Sequence, residues 1–317
     1  MNRFCVLATL AAISLLEPRL SFSQTSFDEE LSMAYGDKSF VTIATGTRLP
    51  ITQAPAIATV ITAEDIRKSG AKDLDKILET VPGLHVSVSP AAYTPIYSIR
   101  GIRQTLVNPQ VLMLINGIPT KTAFSGDRGI IWGGFPVTNI ARIEVIRGPG
   151  SALYGADAFA GVINIITMSA TDVENPTIGA SYASYDSADV WSLSKIKLGV
   201  FDTAAYLRVG TTDGQEGMIS SDAQTANDVA LSTNVSLAPG KVSRGRKSVD
   251  GMLDLSEGFW TFRTAVKYRD NVGSGAGAAQ ALDPNGESLS ERFTADLTYH
   301  NDAFSEYWDV QFQASYM

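Results

Sequence analysis

The sequence predicts an α+β globular unit, a small mixed sheet with short helices, followed by the first antiparallel strands of a transmembrane β-barrel that stays incomplete. Three observations predict this. Between Ala56 and Thr167, short β-prone runs and short helical stretches alternate, and Gly, Pro or Asn punctuates them. After Thr171 the pattern changes to longer segments with a strict period of two, oily on one face and wet on the other. The connections between those segments are long on one side of the sheet and tight on the other.

Composition bounds the reading before any element is placed. The 317 residues are 44% hydrophobic with a mean hydropathy of +0.04, ordinary values for a soluble chain. No uninterrupted apolar run after the N-terminus reaches the roughly 18 residues of a membrane helix, which excludes a helical membrane protein. A β-barrel is not excluded, because lipid-facing and lumen-facing residues alternate and average out. A net charge of -8 and a pI near 4.9 argue against a nucleic-acid partner, which needs a basic face.

Residues 1–23 read as a cleaved export signal: Asn2 and Arg3 start it, Phe4 to Leu16 are mostly apolar, and Ser21-Phe22-Ser23 offers a small-residue cleavage site. The single cysteine, Cys5, lies inside it, so the mature chain has neither disulfides nor thiolate chemistry. Residues 24–47 form a polar, flexible leader ending in a β-prone stretch, Phe40, Val41, Thr42, Ile43, Ala44 and Thr45. That stretch is extended and able to pair, either with a partner or as a first strand of the globular unit.

The globular unit is placed at 48–170. Thr62 precedes the helical stretch AEDIRKSG, and Asp73 caps LDKILETV, in which Leu74, Ile77, Leu78 and Val81 share one face before Pro82-Gly83 ends it. YSIRG, VLMLINGIP, IARIEVIRGP and GVINIIT are brief apolar runs bounded by turn residues, the pattern of buried strands. Asn116-Gly117 predicts a tight hairpin turn. Gly148, Pro149 and Gly150 force a turn, and Gly155 and Gly161 permit close backbone approaches. A phosphate-cradling loop is rejected there, since no Lys-Ser/Thr pair follows the glycines.

Residues 171–317 hold about seven strands, near 177–185, 189–199, 203–212, 248–256, 259–269, 289–300 and 306–316. Trp308, Val310, Phe312, Ala314 and Tyr316 alternate with Asp309, Gln311, Gln313 and Ser315. A soluble sheet shows the same alternation, but the long connections 213–247 and 270–288 fall on one side and tight joints near Phe201-Asp202, Glu257-Gly258 and Asn301-Asp302 on the other. The first strand pair fits less well, because Trp191, Lys195 and Lys197 share a face.

The stretch IRGPGSALYGADAFAGVINIIT from Ile146 to Thr167, with YSIRGI and VLMLINGIP before it, resembles the plug domain of TonB-dependent outer-membrane receptors. The resemblance is strongest with the branch that imports ferric siderophores and is used by colicins, and it covers roughly residues 38–170. It implies a TonB box at Phe40 to Thr45. It also implies plug-motif and docking roles for Arg100, Gly101, Asn116, Gly117, Glu144, Arg147, Gly148, Tyr154, Gly155, Gly161 and Asn164, with Glu144 and Arg147 pairing against the barrel wall.

The expected function is energy-coupled uptake of a ferric siderophore or similar large nutrient. The expected partners are TonB, outer-membrane lipid, and colicins or phage, and the expected location is the Gram-negative outer membrane. Tyr93, Arg103, Arg128 and Trp132 are the substrate candidates, since cationic and aromatic groups suit an anionic aromatic iron chelate. His85 and His300 read as ordinary strand residues, and with no nucleophile–base arrangement no enzyme, metal site or cofactor is expected. Other cargo (cobalamin, haem, an oligosaccharide) and a soluble periplasmic plug-like binding protein are the alternatives. Seven strands do not close around a plug, for which such transporters use about 22, and an open sheet leaves unpaired edges in lipid. A fragment or truncated product that does not transport alone is therefore expected.

Overall fold

The computed structural model describes residues 40–43, 49–54, 57–89, 94–103, 108–122, 132–277, 280–305 and 308–317. The expected export signal, most of the leader, Ala44, Thr45, Tyr93 and Arg128 lie outside these residues.

Two short strands, β1 (Phe40–Val41) and β2 (Leu49–Pro50), pair antiparallel at the start of the globular unit. β3 (Ile57–Thr62) leads into α1 (Ala63–Ser69) through a capping box: the Thr62 hydroxyl accepts the Asp65 N–H at 3.3 Å, and the Asp65 carboxylate accepts the Thr62 N–H at 3.0 Å. Gly70, at φ 69, supplies the left-handed residue that ends the helix. α2 (Leu74–Leu78) starts where the Asp73 side chain accepts the Lys76 N–H, and it buries Leu74, Ile77 and Leu78 as their spacing predicts.

β4 (Leu84–Val88) and β5 (Pro95–Ile99) form a separate antiparallel pair. The main sheet adds β6 (Val111–Ile115), β7 (Ile118–Pro119), β8 (Ile140–Arg147) and β9 (Gly161–Thr167) to β3, in the order β3-β8-β9-β6-β7. β6 and β9 run parallel; the other neighbours are antiparallel. β9 is buried almost throughout and β8 from Ile143 to Ile146, which is why their middles read as short apolar runs. The β6–β7 turn is the one Asn116-Gly117 predicts, with φ 51 and 80. A short helix, α3 (Ser151–Tyr154), follows the Gly-Pro-Gly turn.

The second part is a seven-stranded antiparallel sheet in the order β10-β11-β12-β15-β16-β17-β18. Its strands are β10 (Thr177–Ala183), β11 (Ser187–Leu198), β12 (Phe201–Thr212), β15 (Arg246–Glu257), β16 (Trp260–Gly273), β17 (Glu287–Ser305) and β18 (Trp308–Tyr316). The long connection between β12 and β15 contains β13 (Met218–Ile219), α4 (Ala223–Leu231) and β14 (Gly240–Lys241). It shares one end of the sheet with the β16–β17 connection, and the tight joints at Gly199-Val200 and Gly258-Phe259 lie at the other. One expected joint is corrected: Asn301-Asp302 lies within β17, which runs on to Ser305 after a register shift.

The outward face of this sheet is apolar and uncovered, with Ile178, Val190, Leu207, Phe262, Phe293 and Phe312 all exposed. A sheet in water rarely leaves such a band bare, whereas a lipid-facing wall requires it. The opposite face packs on the globular unit: Leu193, Ala204, Tyr206 and Met252 join Met168 and Val173 in one cluster. Trp191 lies at the edge of that cluster, and its ring fits because its cross-strand partner is Gly179, where a Cβ would stand 2.2 Å from the indole. Its shared face with two lysines is therefore an inner face.

Candidate functional site

The stretch Phe40–Ile43 is folded onto the globular unit. Val41 and Ile43 are buried with Leu112, Leu114, Ile146 and Val162. Beneath them lies Glu144, whose side chain is 0% exposed. Its carboxylate accepts the N–H groups of Thr42 at 2.9 Å and Ile43 at 3.1 Å, the Thr42 hydroxyl at 2.9 Å, and Arg142 Nε at 3.0 Å. A buried carboxylate persists only when satisfied in this way. Half-buried Tyr154 has its phenol pushed up by burial and then by the Glu144 charge.

The polar partners of Glu144 and Arg147 thus lie inside the globular unit among the described residues. Arg147 donates to the Pro82 carbonyl at 2.6 Å and to the Thr59 hydroxyl at 3.1 Å. The Asn116 and Asn164 side chains hold the hairpin end: Asn116 Oδ1 accepts the Thr167 N–H at 3.0 Å and Asn164 Oδ1 accepts the Gly117 N–H at 3.1 Å. Arg100 and Gly101 both adopt positive φ in the turn after β5. Gly148 and Gly155 also adopt positive φ, while Gly161 lies against the Ile146 carbonyl, where a Cβ would stand 2.4 Å away.

The seam with the sheet is built elsewhere, around Trp132 to Phe135. Trp132 is 3% exposed and stacks on Phe135 with centroids 5.4 Å apart. Lys267 Nζ lies 4.7 Å from the Trp132 ring centre and donates to the Trp132 carbonyl, and the Arg292 guanidinium lies 5.3 Å from the same ring. Arg269 donates to the Gly134 carbonyl at 3.1 Å and to Asp250 at 2.8 Å. Arg208 bridges Asp250 at 3.0 Å and Asp189 at 2.5 Å. Trp132, one of the substrate candidates, is a buried contact of the seam, because stacking and cation–π contact hold its ring against the sheet. The cationic partners of its ring, Lys267 and Arg292, appear in the sequence only as polar positions in the strand alternation.

Toward the end bearing the long connections, globular unit and sheet leave a cavity of about 860 Å³. Lys72, Lys76, Arg208, Arg244 and Arg246 line it, against the carboxylates of Asp73 and Asp189. Arg103 is exposed but lies outside its lining. His85 pairs with Glu79 at 2.8 Å and His300 with Asp309 at 3.0 Å, both at the surface. No cluster of metal-ligating side chains occurs among the described residues.

Residues 50–162 match the TonB-dependent Receptor Plug Domain family. The chain is 39% identical over 136 residues to the Vitamin B12 transporter BtuB of Vibrio vulnificus (strain CMCP6), covering 43% of this chain and 21% of that one. It is 38% identical over 153 residues to the Iron-regulated outer membrane virulence protein of Vibrio cholerae serotype O1, covering 47% and 22%. Its fold matches the ferric enterobactin receptor of Pseudomonas aeruginosa, solved as a mutant in complex with enterobactin, with a TM-score of 0.53 at 21% identity over 83% of this chain and 41% of that chain. The matches thus span about a fifth of the curated relatives' own length. On this evidence residues 50–162 form a plug domain, and the strands that follow share the fold of part of a β-barrel.

Proposed function

We propose that the chain serves as a TonB-dependent outer-membrane receptor for energy-coupled uptake, with a ferric siderophore as cargo. The observation that carries the reading is a plug domain clasped by the charged inner face of a sheet whose outer face is bare and oily. The cargo assignment rests on the cavity, where five cations face two carboxylates and favour an anionic iron chelate. Cargo in the cavity shifts the plug's conformational population, Phe40 to Thr45 is released, and an inner-membrane partner takes it by strand addition. Cobalamin is the second reading, favoured by the B12 transporter among the relatives.

Equilibrium binding to outer-membrane preparations tests both. A ferric catecholate is expected to bind saturably, at least tenfold more weakly after Lys72→Glu with Arg246→Glu. Saturable binding of cyanocobalamin alone selects the second reading, and recovery of the chain in the soluble periplasm overturns the receptor reading.

A further inference from the structure

We propose that Glu144 is the clasp that keeps Phe40–Ile43 folded on the plug and closed to strand addition, a proposal that rests on reading this segment as the partner's docking strand. The carboxylate takes the N–H groups of Thr42 and Ile43 and the Thr42 hydroxyl, at 2.9 to 3.1 Å. Both N–H groups reach one carboxylate because the chain bends at Thr42 and Ile43. A partner strand needs the segment extended, with successive N–H groups on opposite edges, and takes one of these two donors. The bend that Glu144 holds and the strand that the partner needs therefore exclude each other.

The placement makes the competition stiff and reversible. Glu144 stands on β8, the strand between β3 and β9, so its backbone is fixed on both sides. Val41 and Ile43 are 0% and 2% exposed, so the segment leaves as a unit with its apolar contacts. A carboxylate stripped of donors in that site is costly, which holds the closed state. Arg142, whose Nε donates to Glu144 at 3.0 Å and which is itself 27% exposed, remains as a partner after release and lets the segment return.

The test uses the full chain in outer-membrane preparations, with Cys5→Ser and one reporter thiol. Val41→Cys is expected to resist a maleimide while Glu144 is intact and to react at least tenfold faster with Glu144→Gln. Val162→Cys, in the same apolar cluster on β9, is expected to stay protected in both. Equal rates at position 41 overturn the clasp, and so does joint exposure of positions 41 and 162, which would make Glu144 a general stabiliser of the plug. Cross-linking of Val41→Cys to the purified periplasmic domain of TonB separates the two claims. Release at position 41 without greater cross-linking upholds the clasp and refutes the docking-strand reading.

Discussion

Lys267 on β16 grips Trp132 twice, with its ammonium 4.7 Å from the ring centre and donating to the carbonyl of the same residue. One side chain of the sheet thereby fixes both the ring and the backbone of a plug loop. Arg269 and Arg208 repeat the backbone half of this grip on the next carbonyls, those of Gly133 and Gly134. The plug is held through its main chain at glycines, where no side chain keeps the guanidinium groups away.

Removing the ring should loosen this seam selectively. Trp132→Ala is expected to cost about 3–5 kcal/mol, the usual range for truncating a buried aromatic, since it leaves Phe135 unstacked, takes the ring from under Arg292 and leaves Lys267 only the Phe135 ring, 5.5 Å away. Hydrogen exchange of the chain should show faster opening at Gly133 and Gly134 with β8 and β9 unchanged. Unchanged exchange at both glycines would refute the anchor.

Two glycines that look alike in sequence should respond differently to alanine. At Gly161 the new Cβ would stand 2.4 Å from the Ile146 carbonyl on the paired strand, and neither backbone can move aside, so a loss of about 1–3 kcal/mol is expected. At Gly83 nothing lies within 4 Å, and only its φ of +76 is strained, worth about 1–2 kcal/mol. A thermal shift for Gly161→Ala no larger than that for Gly83→Ala would contradict the close packing of β8 on β9.

The loop between β12 and β15 should loosen in acid. Asp228 is held down to about 2, first by the Thr233 hydroxyl and then by the Ser236 N–H. Asp222 is lowered first by the Leu282 N–H from the neighbouring loop and then by the Thr225 hydroxyl. Both folded values lie below the usual aspartate value of about 3.9, so their contribution is full above that pH and fades as pH falls from about 4 toward 2. Exchange at Val235 and Ser236, corrected for intrinsic rate, is expected to rise between pH 5 and pH 3, and Asp228→Asn should remove the difference. A pH-independent protection would count against these bonds.

Local features were legible because neighbours in sequence create them. The Thr62 and Asp73 caps, the Asn116-Gly117 turn and the apolar face of α2 depend on residues within four positions, and each forms where its pattern lies. The alternation after Thr171 placed all seven sheet strands to within a few residues, because a period of two survives any tertiary context that buries one face. The joint at Asn301-Asp302 failed because β17 continues through a bulge, which turn-type residues do not exclude.

What the tertiary structure alone decided is which charges and rings meet. Glu144 and Thr42 are 102 positions apart, and Lys267 and Trp132 are 135 apart. No local periodicity carries such pairings: they follow from the strand order of the plug sheet and from the packing of the second sheet against it. Glu144 was therefore readable as a functional carboxylate but not as the partner of Phe40–Ile43. Trp132 was readable as an aromatic turn residue but not as the buried key of the seam. Local patterns set the strands, helices and caps; long-range packing set what each side chain touches, because desolvation favours a partner for a buried charge wherever the fold brings one.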